Sequence, residues 1–435
     1  MENYLGISLI LVLSFCLQCS YSAESALQFK LSSGEEISCV PIYEQPSLKS
    51  LDHASSSYLK LRSEDGLEGV PLDLQPSEAS TYHWEPKYIP SQKSAEEPTQ
   101  VIPDEMEVKL AEQLFKSEVG TCPEGMIPIL RNQRPIRRTR GVIRQGADSR
   151  HGNFQHIFTV TSTDTSEADP ANASPVHEYA ENYFSPGGAL YRGANGYFNV
   201  WKPTVELSGE FSLSQLWITA GSYDQNNLNT IEVGWQVYKD IYGDDQPHLF
   251  VYWTRDAYKS TGCYNLACPG FVQVSTSLVV GGSLSSFVSQ TNGAQYEIQV
   301  LVFWDQGTNA WWLNINGQNI GYWPNSLFTT LTGGANNVDW GGEIVNSETG
   351  NRHTQTDMGS GQFAQTGFQK AAFIRSLQTV NQQNQLVDAP LIPADVLVTN
   401  ANCYSAQTFQ DTSAGSTWRT YLFFGGPGFS NACPK

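Results

Sequence analysis

The sequence predicts an all-β fold, an antiparallel β-sandwich, for the larger part of its 435 residues. β-Branched and aromatic residues recur with period 2, or form short apolar runs, in several segments after residue 200. Turns rich in glycine and asparagine separate these segments. No helical pattern between them could form the crossovers of a parallel α/β sheet. The predicted strands are 211–220, 229–237, 248–253, 271–278, 296–304 and 310–315.

Composition and charge exclude several classes of protein. Hydrophobic residues make up 40 % of the chain, enough for a real core. Charged residues at only 16 %, together with 37 glycines, argue against coiled coils and helical solenoids. The net charge of −18 argues against a nucleic-acid partner, because phosphate backbones are bound by excess lysine and arginine.

Residues 1–22 have the features of a secretory signal peptide. The apolar run 5–17 is too short to span a bilayer, and the small residues Ser20 and Ser22 follow it at the spacing of a cleavage site. A short buried helix is the alternative interpretation. Because no later stretch is apolar enough to span a membrane, we expect a chain with no membrane partner. We expect it to be secreted to the extracellular space or cell wall, with the vacuole as another possible destination.

Six cysteines remain after the predicted signal peptide, which indicates disulfides in a secreted chain. Loop lengths and membership of the same segment favour three pairs, and a zinc site is the competing interpretation. It is disfavoured because no Cys-x-x-Cys or His-x-x-x-His accompanies these cysteines. The favoured pairs are Cys39–Cys122, Cys263–Cys268 and Cys403–Cys433.

Composition changes near residue 150 and divides the chain. Ten of the eleven tryptophans lie at or after Trp201, whereas a stretch rich in proline, serine and glutamate lies before it. Between the two regions, seven arginines cluster in 131–150, either as an exposed linker or as a site for proteases. The sequence therefore predicts a signal peptide at 1–22, a small α+β leader at 23–130, a basic linker with a processing site at 131–151, and the β-sandwich domain at 152–435.

Two glutamates stand out once common hydrolase motifs are found to be missing. The sequence has no Gly-x-Ser-x-Gly and no His-Glu-x-x-His, which leaves paired carboxylates as the candidate chemistry. Glu232 lies in the middle of a predicted strand, on the face that also carries Gly234 and Gln236. Glu343 follows a Gly-Gly pair expected to form a turn. Taken singly, the first is also explained by the wet face of a sheet and the second by an exposed turn.

Trp340 and Ile344 flank Glu343 in the sequence and are expected to exclude water from its carboxyl. Asn172 begins the Asn-x-Ser sequon of the chain, a candidate glycosylation site.

Several blocks, in order along the chain, resemble the neprosin family of plant secreted proteins. Two blocks in the leader, 37–46 and 120–129, resemble the activation peptide of that family. The blocks in the second region are Ser-Gln-Leu-Trp at 214–217, Asn-Thr-Ile-Glu-Val-Gly-Trp-Gln-Val at 229–237, Cys-Tyr-Asn-Leu-Ala-Cys-Pro-Gly-Phe at 263–271, Gly-Tyr-Trp-Pro at 321–324 and Trp-Gly-Gly-Glu at 340–343.

This resemblance implies a glutamic endopeptidase with a β-sandwich catalytic domain, made as a zymogen whose own propeptide, residues 23–130, is its inhibitor. It implies cleavage of proline-containing peptides or proteins after proline at acidic pH, with Glu232 and Glu343 as the catalytic pair. Two carboxyls that share a water can supply both base and acid without a covalent intermediate, a metal or another cofactor. The drier setting expected for Glu343 suggests it as the acid and Glu232 as the base.

Substrate contacts are predicted from polar and aromatic residues near the two acids. Gln215 or Gln236 could stabilise the developing oxyanion, and an apolar slot for proline would draw on aromatic side chains. A carbohydrate- or cell-wall-binding sandwich and a glycosidase are the alternative functions, because paired carboxylates and aromatics also suit sugars. The aromatic candidates are Trp217, Trp235, Tyr252, Trp253, Tyr322 and Trp323.

Overall fold

The computed structural model describes residues 27–49, 85–92, 107–131, 176–184, 190–347, 352–392, 395–413 and 415–433. The predicted signal peptide, Asn172 and the basic linker except Arg131 lie outside the described residues. The helices are α1 (Pro46–Lys49), α2 (Leu114–Glu118) and α3 (Lys239–Tyr242), with 3-10 turns at Ile42–Glu44, Asn325–Leu327, Leu331–Gly333 and Ala364–Thr366.

The strands of these residues are β1 (Leu27–Lys30), β2 (Glu36–Pro41), β3 (Ser91–Gln92), β4 (Val108–Leu110), β5 (Met126–Leu130), β6 (Val176–Phe184), β7 (Gly193–Asn199), β8 (Ser212–Ala220), β9 (Asn229–Val237), β10 (His248–Thr254), β11 (Cys263–Tyr264), β12 (Val272–Gln273), β13 (Gln295–Asp305), β14 (Ala310–Ile315), β15 (Gln318–Pro324), β16 (Asn337–Asn346), β17 (Ala372–Val380), β18 (Gln385–Asp388), β19 (Val396–Val398), β20 (Ser405–Gln410) and β21 (Thr420–Gly425).

Two large sheets form a sandwich, which confirms the predicted all-β class. One has seven strands in the order β11-β10-β9-β8-β16-β6-β19. The other has eleven strands, with β12-β15-β14-β13-β7-β17-β18-β3 as its main path. Among the described strands, the domain strands pair antiparallel with one another, and the parallel pairs β4–β13 and β3–β18 each include a leader strand.

Alternation along the strands of the seven-stranded sheet places one set of side chains between the sheets. Tryptophans from this set connect the two sheets by hydrogen bonds from their indole N–H groups, as well as by packing. Trp235 donates to the Asn199 carbonyl at 3.0 Å, and Trp340 donates to the Asn195 carbonyl at 3.1 Å. Both acceptors belong to β7 of the other sheet, so these buried N–H groups are satisfied and fix how the sheets face each other.

The leader forms a small three-stranded sheet, β1-β2-β5, with the short helices α1 and α2. Two buried glutamine side chains hold it on the domain. Each hydrogen-bonds both the backbone amide and the backbone carbonyl of one domain residue, as a paired strand would. Gln45 accepts from the Gln273 amide at 2.9 Å and donates to the Gln273 carbonyl. Gln113 does the same with Val279, at 2.7 and 2.8 Å. Because both are desolvated and paired, each contributes more than a surface hydrogen bond would.

All three predicted disulfides are present: Cys39–Cys122 within the leader, and Cys263–Cys268 and Cys403–Cys433 within the domain. The six sulfurs are thereby used up, which removes the thiolates that the zinc alternative required. Across the part of the chain that the structure describes, no helix has both the length and the apolar character needed to cross a membrane.

Candidate active site

The outer face of the seven-stranded sheet carries both glutamates singled out in the sequence. Antiparallel register places Glu232 of β9 opposite Trp217 of β8, which in turn lies opposite Asp339 of β16. Glu343 lies opposite Leu213, four residues before Trp217 in β8. Since opposite residues point to the same face, both acids project from one side of the sheet, with β8 between their strands.

Glu343 is contacted by two nitrogen-bearing side chains. The amide nitrogen of Gln215 donates to Oε2 of Glu343 at 3.2 Å. Nδ1 of His177, on β6, lies 2.5 Å from Oε1. The Gln215 amide is a donor, and a protonated His177 would be one as well, so these contacts favour an ionised Glu343 carboxylate.

Glu232 has hydroxyl neighbours instead. Tyr258 and Thr230 both donate to its Oε1, at 2.5 and 2.8 Å. Hydroxyl groups can also accept, so this setting suits a protonated as well as an ionised carboxyl. Tyr252 and Trp217 lie opposite Glu232 on the two adjacent strands, which gives the acid an aromatic wall on each side.

Gln215 lies between the two acids, with glycine opposite it on both neighbouring strands. Its partners in register are Gly234 on β9 and Gly341 on β16. A Cβ atom on Gly341 would lie 2.4 Å from the Cβ of Glu181, so a larger residue cannot replace this glycine without displacing β6. The face is therefore bare of side chains on either side of Gln215.

Two further acids lie beside Glu343. Asp339 precedes it by four residues on β16, and Glu181 lies opposite Gly341, between the two. Burial raises the pKa of Asp339 to about 8, against hydrogen bonds from Asn337 and the Phe184 backbone amide that lower it. Burial also raises the pKa of Glu181 well above its usual range, and the Asp339 and Glu343 carboxylates raise it further. The face thus holds carboxyls that retain protons in acid and at neutral pH.

The site is closed to solvent in this state of the molecule. The side chains of Glu232, Glu343, Gln215 and Gln236 are all fully buried. A peptide can reach these groups only after the parts that cover the face move.

The structure brings together some of the predicted binding residues and separates others. Gln215, Trp217, Gln236 and Tyr252 share the face with the two acids, although the Gln236 amide already donates to the Tyr242 hydroxyl at 2.9 Å.

The remaining aromatic candidates do not share that face. Tyr322 and Trp323 belong to β15 of the other sheet; Trp323 packs against Phe271 in the core, and Tyr322 packs against Trp312. Trp235 and Trp253 point into the core between the sheets. The structure therefore does not bring Tyr322 and Trp323 to the face of the acids, because neighbouring sequence blocks fold into different sheets. Their contact with substrate stays a prediction.

Two expectations about the surroundings of Glu343 were also wrong. Gly341 and Gly342 lie inside β16 rather than in a turn. Trp340 and Ile344 alternate with Glu343 and point into the inter-sheet core, so they do not exclude water from its carboxyl. The apolar residues on its own face, Leu213 and Tyr179, are the register partners that do.

His177, Glu181 and Asp339 were missed by sequence reasoning. The signal was available in 177–183, where His177, Tyr179, Glu181 and Tyr183 alternate with period 2. The strand was not recognised because Glu178 and Asn182, on the opposite face, are also polar and hide the apolar alternation. Buried hydrogen bonds to Asn346 and Thr408 satisfy those two residues, at 3.4 and 3.3 Å.

Comparison with solved structures finds distant similarities. The Scytalido-glutamic peptidase, solved with a peptide-based transition-state analogue, is 11 % identical with a TM-score of 0.29, covering 58 % of this chain and 98 % of that chain. SCP-B, a member of the Eqolisin family of peptidases, is 12 % identical with a TM-score of 0.26, covering 58 % and 97 %. CG-16, a homodimeric agglutinin from chicken liver, is 8 % identical with a TM-score of 0.20, covering 38 % and 96 %. At these TM-scores none of the three similarities bears on the function of this chain.

A protein-family model supplies the decisive comparison. The model described as Neprosin matches residues 208–427, slightly more than half of the 435 residues. The matched range runs from just before β8 to just after β21 and includes both Glu232 and Glu343. The chain belongs to the Neprosin family.

Proposed function

We propose that the protein is a secreted glutamic endopeptidase that hydrolyses peptide bonds on the carboxyl side of proline at acidic pH. The observation that carries the proposal is the shared face: Glu232 and Glu343 project from the same side of one sheet, with Gln215 between them and bonded to Glu343. The two glycines that flank Gln215 let the strands around it pack closely, Gly234 against β8 and Gly341 against β6.

The contacts of the two acids suggest their roles. Glu343, hydrogen-bonded by Gln215, is suited to be the base that takes a proton from water. Glu232, surrounded by hydroxyls, is suited to be the acid that protonates the leaving nitrogen. This assignment reverses the one drawn from the sequence, where Glu343 was expected to be the drier of the two; both carboxyls are equally buried.

The aromatic walls beside Glu232 support the preference for proline. Trp217 and Tyr252 flank this acid, and proline offers a rigid apolar ring that packs well against such side chains. The need for one protonated carboxyl supports an acidic optimum.

A peptide assay tests the proposal. Purified protein is incubated at about pH 4 with two peptides that differ only in proline or alanine before the scissile bond, and the products are identified by mass. We expect cleavage after proline, with little cleavage of the alanine peptide. A protein that leaves both peptides intact after removal of the leader, but hydrolyses oligosaccharides, would instead support the sugar-directed alternative.

We further propose that the chain is made as a zymogen, because the acids are buried and the leader is docked on the domain. Besides Gln45 and Gln113, the leader uses the carboxylate of Glu35, which accepts from the Ser283 amide at 2.7 Å. Since the proposed peptidase works in acid, we expect the leader to be released there.

Activation should therefore follow acidification of the full-length chain. We expect the purified protein to be inactive at pH 7 and, on incubation at about pH 4, to be cut within residues 131–151 as activity appears. Mass analysis of samples taken over time, assayed in parallel on the proline peptide, measures both events. An uncut chain with full activity would contradict the zymogen.

A further inference from the structure

Glu181 is placed next to the proposed catalytic base but has no role in the mechanism above. It lies on β6 opposite Gly341, and its side chain is on the face that carries Glu343. A Cβ on Gly341 would lie 2.4 Å from the Cβ of Glu181, so the Glu181 side chain packs closely against this glycine. Glu181 and Gln215 are therefore the polar side chains on either side of Gly341, two residues before Glu343.

One oxygen of the Glu181 carboxyl lacks the hydrogen bond that a buried acid normally makes. The residue is 2 % exposed, and its Oε1 atom has no hydrogen-bond partner among the described residues. Unpaired buried polar atoms are rare and costly, and they often mark a place where a ligand supplies the missing partner. Here the unpaired atom lies beside the acids that are proposed to act on a peptide.

Burial and, after it, the Asp339 and Glu343 carboxylates raise the pKa of Glu181 well above its usual range and keep its carboxyl neutral in acid. Asp339 and Glu343 face it from β16, His177 and Tyr183 share its own strand and face, and Leu397 of β19 lies opposite on the other side. A neutral carboxyl carries one O–H donor, whereas an ionised one carries none.

We propose that Glu181 contacts the substrate and donates its O–H to the carbonyl oxygen of the peptide bond that is cleaved. The inference rests on the proposed function and adds the group that stabilises the oxyanion. The sequence suggested Gln215 or Gln236 for this role; one N–H of Gln215 already donates to Glu343 and one of Gln236 to Tyr242, and Glu181 adds a further donor on the same face.

The complete step balances with these three acids. The oxygen of water bonds to the carbonyl carbon while its proton passes to Glu343, and the carbonyl oxygen becomes an oxyanion held by the Glu181 O–H. Glu232 then gives its proton to the amide nitrogen, the C–N bond breaks, and the acid and amine products leave. The proton on Glu343 returns to Glu232 through solvent.

Two substitutions of Glu181 distinguish the loss of its hydrogen-bond donor from the loss of a titratable group. Glu181→Leu removes the donor, and we expect kcat on the proline peptide to fall about 10²- to 10³-fold, with a smaller change in KM. Glu181→Gln keeps a donor that does not titrate. We expect it to retain activity within about tenfold, because the amide N–H can still donate to the oxyanion.

Glu178→Gln is the matched control, since Glu178 is an equally buried glutamate on the same strand that points to the opposite face and bonds to His353 at 3.1 Å. Its pH profile should match that of the unmodified protein. A Glu181→Gln chain that unfolds at the same urea midpoint as the unmodified protein yet loses more than about 10²-fold in kcat overturns the inference even if Glu181→Leu fails to fold. If Glu343→Gln is inactive while Glu181→Leu is fully active, the inference about Glu181 fails and the proposed function stands. If Glu343→Gln is active, the proposed function itself fails.

Discussion

Glu343→Gln is expected to lower kcat on a proline peptide by about 10²- to 10⁴-fold, the range of a positioned general base. The side-chain amide has nearly the shape of the carboxyl, and its oxygen can still accept from Gln215. It cannot take a proton from water, so the chemical step is lost while the contacts that hold the strand remain. Steady-state kinetics after removal of the leader measures the effect.

The fold must be shown to survive this change. Glu178 lies opposite Ile344, the residue after Glu343, and therefore points to the other face of the sheet. Glu178→Gln is thus a control for the replacement of a buried carboxyl by an amide. We expect Glu178→Gln to keep its activity and both variants to unfold cooperatively with similar midpoints in urea. A fully active Glu343→Gln would remove this residue from the mechanism, and with it the case for a glutamic peptidase.

Two strands were predicted with their bounds because one face of each is apolar throughout. The predicted segment 229–237 is β9 and 310–315 is β14, residue for residue. By contrast, only Val272–Gln273 of the predicted segment 271–278 forms a strand. There Gln273 donates from its side chain to the carbonyls of Ser275 and Leu278, so a side chain takes over the hydrogen bonds that a sheet partner would provide.

Local rules favoured Glu343 only weakly and misplaced its surroundings, and the resemblance made it a catalytic candidate. A Gly-Gly pair usually marks a turn, yet Gly341 and Gly342 lie within a ten-residue strand. The reason is tertiary: a Cβ on Gly341 would meet Glu181, and one on Gly342 would meet the Phe424 ring at 2.5 Å. Neither contact can be inferred from neighbouring sequence positions, and the same holds for the meeting of His177 with Glu343, 166 residues apart.

The buried acids beside Glu343 should also make the stability of the domain depend on pH. Because the pKa of Asp339 is raised from its ordinary 3.8 to about 8, the folded chain keeps a proton that the unfolded chain releases. The stabilisation is fully present below the unfolded value and is lost as the pH rises towards the folded value. Between these limits the free energy of unfolding should fall by roughly 1.4 kcal/mol per pH unit for this group alone.

Asp339→Asn should flatten that slope, because the amide has no proton to lose. Urea unfolding from about pH 5 to about pH 8 would measure it, with Glu232→Gln in both chains to prevent self-digestion. Below about pH 4 the trend should reverse, since Asp256, where partial burial is outweighed by hydrogen bonds from Ser260 and Thr261, has a pKa lowered to about 2 and loses those bonds on protonation. The chain should thus be most stable in mild acid, where the proposed peptidase would work. Equal slopes of the free energy of unfolding against pH, with and without the Asp339→Asn substitution, would show that the Asp339 carboxyl is ionised in the folded state. The outer face of the sheet would then retain no proton at Asp339.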